Sequence, residues 1–265
     1  MFKTLLKYAI FIPVATVSLA GEFKQISSFA TIENKPSGEE TSAEIISATN
    51  DGNMLLYSDS PLGAIGLIDI SDENKPKPLG NIILNGEPTS VSVKNGKAFV
   101  GINTSESYVK PSGKLITIDI ASQKVIQEVD LGGQPDSIAV SSDGSLVAVA
   151  IENERDEDIN DEKIPQAPAG YLALVTNGEV TKVSLSGFSE IAPSDPEPEF
   201  VDINELGETV VSIQENNWLA VVNKYGEVIN EFSAGTVDLK NIDNKKDGEL
   251  KLVDSIDNVR REPDA

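Results

Sequence analysis

The 265-residue sequence contains no histidine and no cysteine, and aromatic side chains make up only 5% of it. Each absence removes a class of chemistry. Without histidine there is no Ser-His-Asp triad, no histidine phosphoryl acceptor and no ordinary zinc site within the chain. Without cysteine there is no disulfide framework and no lipoprotein anchor, so stability must come from the core or from ions. Positive charge is also scarce: 21 Lys and Arg face 43 Asp and Glu, for a formal net charge of −22. Such a charge opposes binding to nucleic acid and to anionic lipid, because both are polyanions. Cations or cationic surfaces are the natural partners, and plain solubility is the simpler alternative.

The first stretch differs from everything after it. Lys3 and Lys7 precede an apolar run from Tyr8 to Val17, and Ser18-Leu19-Ala20 puts small residues at the positions a signal peptidase reads. The expected leader is residues 1–20, with the mature domain occupying 21–265. A membrane anchor is the alternative, but the run falls short of the roughly 20 continuous apolar residues a span needs. Losing two lysines and no acid moves the net charge to −24. No later segment is apolar enough to span a bilayer, so export to a secreted, periplasmic or cell-surface location is expected.

What is present in abundance is short β-rich runs bounded by Gly, Asn, Asp and Pro. Four units share one pattern: an alternating strand, a tight turn and a second strand. The first strands are Ala43–Ala48, Pro88–Val93, Pro135–Val140 and Pro198–Ile203. The turns are Asn50-Asp51-Gly52, Asn95-Gly96, Asp143-Gly144 and Leu206-Gly207. Asn-Gly and Asp-Gly suit such hairpins because the turn needs positive φ. A third strand follows in each unit, beginning near Ile65, Leu115, Tyr171 and Trp218, and a shorter fourth closes it, as at Val125–Val129 and Val228–Phe232. Four strands recurring every 47 residues, from Pro88 to Pro135, predict β-propeller blades in an all-β fold. A β-sandwich also has recurring strands, but it does not repeat one four-strand order with proline at the same place. The next step, to Pro198, is 63 residues, the excess being an insertion over 152–169.

Four units are the low end for a closed propeller, so the chain is expected to be the N-terminal part of a larger one, truncated at its C-terminal side. Phe23–Phe29 reads as an unpaired first strand of the kind that completes a last blade. A short chain that dimerises is the alternative.

Acids concentrate in the insertion. The run from Glu152 to Glu162 holds seven carboxylates, the amides Asn153 and Asn160, and Arg155. Hard cations such as calcium take six to eight oxygen ligands, which such a segment could supply. The spacing is not an EF-hand, since Asp161 and Ala167 stand where that loop needs Gly and Glu. A solvated acidic loop is the other reading. Two further segments share the character: Asp195–Asp202 before and within the first strand of unit four, and Gln214-Glu215-Asn216-Asn217 after its second. These two loops are expected at opposite ends of the blade, so that they need not meet. The candidate metal ligands are Glu152, Asn153, Glu154, Asp156, Asp158, Glu199, Asp202 and Glu215. Arg155 has a simple role pairing with neighbouring carboxylates and a sharper one gripping a substrate phosphate or carboxylate. Trp218 reads as core. No phosphate-cradling glycine loop is present.

Several of these strings resemble the secreted phytase-like propeller family, described as having esterase-like activity of phytase. They are Pro135–Val140 through Ile151–Asp158, Pro165–Gly170, Pro196–Asn204, Gln214–Asn217, Phe232–Leu239 and Arg261–Ala265, within a likeness covering roughly 40–265. Unit two, Gly86–Leu131, resembles the propeller repeat of bacterial surface proteins and the choice-of-anchor group. The resemblance implies a propeller, export, and hydrolysis of an ester or phosphoester. A phosphate-handling site would need basic residues beside its metal, and Arg155 is nearly alone among acids.

Two functions follow. In the first, calcium held by the acids assists hydrolysis of a small ester or phosphoester, with Glu154, Glu199 or Glu215 as general base and Arg155 on the substrate. In the second, calcium is structural and the propeller binds an extracellular protein or glycan.

Overall fold

The computed structural model describes residues 24–34, 38–156, 158–159 and 163–263. The proposed leader lies outside them. Four antiparallel four-stranded sheets follow one another along the chain, each a simple meander in sequence order. Blade one is β1 (Ile46–Ala48), β2 (Met54–Asp59), β3 (Ala64–Asp69) and β4 (Lys77–Ile83). Blade two is β5 (Glu87–Lys94), β6 (Lys97–Asn103), β7 (Gly113–Asp119) and β8 (Lys124–Asp130). Blade three is β9 (Pro135–Val140), β10 (Leu146–Ile151), β11 (Tyr171–Thr176) and β12 (Glu179–Ser184). Blade four is β13 (Pro198–Ile203), β14 (Thr209–Ile213), β15 (Trp218–Val222) and β16 (Val228–Ser233). A two-stranded ribbon, β17 (Thr236–Ile242) and β18 (Asp254–Arg260), follows. Sheets that never exchange strands exclude the sandwich and match an incomplete propeller.

The turn chemistry works as the sequence implies. Asn95 and Gly96 adopt φ of 51° and 72° between the paired Lys94 and Lys97, the left-handed pair that a two-residue hairpin requires. Strand alternation then gives the blades apolar faces, and three cores form where adjacent blades pack face to face. Leu56, Ile65 and Leu67 of blade one meet Val91, Val100 and Ile116 of blade two. The opposite face of blade two, with Phe99 and Leu115, meets Ile138, Val149 and Ala173 of blade three. Ala148, Leu172 and Leu174 on the other side of blade three meet Val201, Val211 and Ala220 of blade four. Burying such a Leu, Ile or Val stabilises by roughly 1.5–3 kcal/mol each.

Serines on the first strands add polar stitches between blades. The backbone N–H of Val93 donates to Ser47 Oγ at 3.0 Å, that of Ile138 to Ser90 Oγ at 3.2 Å and that of Val201 to Ser137 Oγ at 3.4 Å. Each satisfies an amide that has no ladder partner on that side.

One expectation fails. Of the expected strand Phe23–Phe29, residues 24–29 form no strand, and Phe23 lies outside the described residues. This segment lies against blade one instead: Ser27 Oγ donates to Glu73 O, and Asn34 Nδ2 donates to the Tyr57 hydroxyl at 2.9 Å and to Leu67 O at 3.1 Å. Gly80 N–H in turn donates to Asn34 Oδ1. Beneath this segment, Tyr57 is fully buried with its ring over Gly66, where a Cβ would stand 2.0 Å from the ring.

Candidate functional site: an acidic cavity between blades three and four

Antiparallel pairing puts the start of a blade's first strand and the end of its second at the same end, contrary to the expectation that the loops there lie apart. Glu152 N–H, just past β10, donates to Gln134 O beside the start of β9. Gln214 N–H, just past β14, donates to Glu197 O beside the start of β13. An asparagine then closes each neck. Asn153, at φ 52°, accepts from Gln134 N–H through Oδ1 and donates through Nδ2 to Ala169 O, both at 3.0 Å. Asn216 accepts from Glu197 N–H and donates to Ile191 O and Asp195 O. The insertion therefore begins and ends on the neck of blade three and reaches over blade four.

Between the two necks lies a cavity of about 430 Å³ lined by Glu152, Glu154, Arg155, Ile164, Gln166, Glu197, Glu199 and Glu215. Arg155 organises one side of it. Its Nε donates to Asp195 Oδ2 at 2.8 Å, Nη1 pairs with Glu197 Oε2 at 2.8 Å and with Glu215, and Nη2 donates to Asp195 O at 3.0 Å. Its backbone N–H donates to Glu197 Oε1. Asp195 and Glu197 are almost fully buried, whereas the Glu215 side chain is 52% exposed. Gln166 completes the clasp: its N–H donates to Asp195 Oδ2, and its amide exchanges hydrogen bonds with the backbone of Asp156. The partners of Arg155 are thus distant carboxylates on blade four, not those of its own run.

The other side is crowded with like charge. Burial pushes the Glu152 carboxyl up to about 9, and Glu199, Asp136, Glu154 and Glu197 push in the same direction. Burial also pushes Glu197 up to about 8, reinforced by Glu215 and Asp195; Arg155 opposes this, but its charge is shared among three carboxylates. Glu154 is exposed and accepts from Gln134 Nε2 at 3.2 Å.

Of the candidate ligands, Glu152, Glu154, Glu199 and Glu215 line the cavity. Asn153 has both side-chain polar atoms committed to the backbone. Asp156 accepts from Asp158 N–H in a local turn, and Asp158 is exposed. Asp202 is exposed near the far end of β13 and accepts from the N–H of its neighbour Ile203. Glu157, Asn160, Asp161 and Glu162 lie outside the described residues. Among the described residues no three acids converge closely enough to hold a metal ion as they stand. Sequence reasoning passed over Asp195, Glu197 and Gln166 as site residues. The signal for Glu197 was its register, one residue before the first-strand proline, where Gln134 stands in blade three. Trp218 is half-buried and packs against the core between blades three and four, as expected.

A family model described as Choice-of-anchor I domain matches residues 44–194. No curated protein matches the chain. Among solved structures, a streptogramin B lyase superposes with a TM-score of 0.53 at 12% identity, over 74% of this chain and 56% of that one. A 6-phosphogluconolactonase candidate from Bacteroides uniformis gives 0.53 at 15% identity, over 73% of this chain and 55% of that one. The chain thus spans little more than half the length of either. At such identities the likeness establishes the propeller fold alone.

Proposed function

The chain belongs to the choice-of-anchor I domain family, and we propose that this secreted or surface β-propeller binds calcium in the acidic cavity as a structural ion. Glu152, Glu154 and Glu199 would hold it. The observation that carries the reading is the division of the cavity. Arg155 already pairs with Asp195, Glu197 and Glu215, while Glu199, Asp136 and Glu154 on the other side add to the burial that raises Glu152. Hard oxygen donors gathered around one buried carboxylate suit a divalent cation, which lowers the cost of their shared charge. Because no three described acids stand at ligating distance, binding has to draw the insertion inward.

The phytase-like resemblance favours ester or phosphoester hydrolysis instead. Among the described residues Arg155 is the one cation lining the cavity, and its Nε and both terminal nitrogens are engaged by protein groups. A phosphate would have to displace a buried carboxylate to reach it. The non-catalytic reading, with a protein or glycan as partner of the propeller, therefore fits the geometry better.

Thermal melting against calcium concentration tests this. The melting temperature should climb with millimolar calcium, as mass action requires of a ligand of the folded state. The Glu152→Gln/Glu154→Gln protein should show little of that climb, and neither protein should turn over p-nitrophenyl acetate or phosphate. A flat calcium response in the unsubstituted protein would discard the cation. EDTA-sensitive turnover would restore the hydrolase.

A further inference from the structure

The outward face of blade four is a blade-shaped seat. The corresponding face of blade three is closed: Ala148, Ala150 and Leu172 are fully buried beneath blade four. On blade four, β14 pairs Val210 with Val221 and β15 pairs Leu219 with Phe232, giving an apolar face of the same kind. There Val210 is 37% and Phe232 44% exposed.

The path of the chain says what belongs on it. Blade one leads to blade two through Leu84-Asn85-Gly86-Glu87-Pro88, and blade two leads to blade three through Leu131-Gly132-Gly133-Gln134-Pro135. In each case the leucine N–H donates to a glycine at or just before the start of the third strand, Leu84 to Gly63 O at 2.8 Å and Leu131 to Gly113 O at 2.9 Å. Blade four repeats the motif with Ala234 donating to Asn217 O at 3.0 Å, followed by Gly235. The β17–β18 ribbon is then inserted. Its two ends are pinned together, since Arg261 N–H donates to Gly235 O and Asn217 Nδ2 donates to both Gly235 O and Arg261 O. The motif resumes as Arg261-Glu262-Pro263, with proline where Pro88 and Pro135 stand at the start of β5 and β9, second and first residue respectively. Asn217 adopts the left-handed φ of 56° that Gly63 shows, 62°, at the same position.

We infer that the outward face of blade four seats a further four-stranded blade of the same polypeptide, opened by Pro263, and that the β17–β18 ribbon is an excursion within the linker to it. The inference is independent of calcium. The ribbon does not shift the register, because its pinned ends occupy adjacent positions of a five-residue linker.

Val210→Lys/Phe232→Lys substitutions test it in two proteins, this chain and the product of the gene read to its own stop codon. In this chain both residues face solvent, so the melting temperature should stay within about 2 °C, and binding of the apolar dye ANS should fall. In the longer product ANS binding should be low from the outset, and the substitutions should lower melting by about 5 °C or more. The inference is overturned if the reading frame closes at Ala265, or if the longer product tolerates the substitutions. It is equally overturned if this chain sediments as a dimer that the substitutions dissociate, which would make a second copy the occupant.

Discussion

The two sides of the acidic cavity hold similar numbers of carboxylates in opposite electrostatic conditions. On one side a single guanidinium, its side chain 10% exposed, meets Asp195, Glu197 and Glu215. On the other, Glu152 is held near Glu154, Glu199 and Asp136, and its proton affinity rises well above that of an ordinary carboxylate. Asp195 is therefore a structural tie and Glu152 a liability, while Glu197 stands between them, reached by Arg155 yet still raised to about 8 by burial. Charge density along the sequence does not tell the two apart. Reach across blades does.

The largest effect is expected from removing the tie. Arg155→Met leaves Asp195 and Glu197 buried without their counter-ion, and breaking a buried pair from one side costs about 3–5 kcal/mol. Chemical denaturation should report that loss, and the melting temperature should fall by about 10 °C. If the loss is under about 1 kcal/mol, the tie is no stronger than a surface ion pair and the contrast between the two sides disappears.

A middle-sized effect of opposite sign is expected on the crowded side. Glu152 is raised to about 9 in the folded protein, against 4.5 as its ordinary value. The folded state thus binds the extra proton between those values, and stability falls as pH rises from about 4.5 to about 9. Glu197, raised to about 8, adds to the same slope. In calcium-free buffer Glu152→Gln should melt higher than the parent at pH 8, by the equivalent of about 1 kcal/mol, and its stability should fall less between pH 5 and 9. Calcium should narrow the difference by stabilising only the parent. An unchanged pH profile would mean that the crowding is relieved by some rearrangement of the insertion.

The blades were legible because their signals are local and repeat: the first-strand prolines, the Asn-Gly and Asp-Gly turns, and strands of period two. Their order within each sheet follows from meander topology, which short turns enforce. The cavity was half legible. Glu152, Glu154, Glu199 and Glu215 were singled out for their charge, and they line it. The partners of Arg155 were not, because ion pairs spanning 40 to 60 residues depend on which loop ends share an end of the sheet. Asp202 illustrates the limit of composition. It belongs to the same acidic string as Glu199, yet three residues of extended strand carry it about 10 Å away. Residues 24–29 show the converse, an alternating pattern that is not a strand but lies along blade one through side-chain hydrogen bonds.

The smallest effect isolates where the tie keeps its energy. Glu215 pairs with the same guanidinium as Asp195 and Glu197, but its side chain is half exposed where theirs are almost fully buried. Water screens its share of the attraction and solvates the carboxylate when the pair is absent, so an exposed pair contributes at most about 1 kcal/mol. Glu215→Gln also removes one of the charges that raise Glu197, which returns part of that loss. Urea denaturation should therefore place Glu215→Gln within about 1 kcal/mol of the parent, far above Arg155→Met. Equal losses in the two proteins would mean that the three carboxylates act as one cooperative unit, with Glu215 as its outer gate.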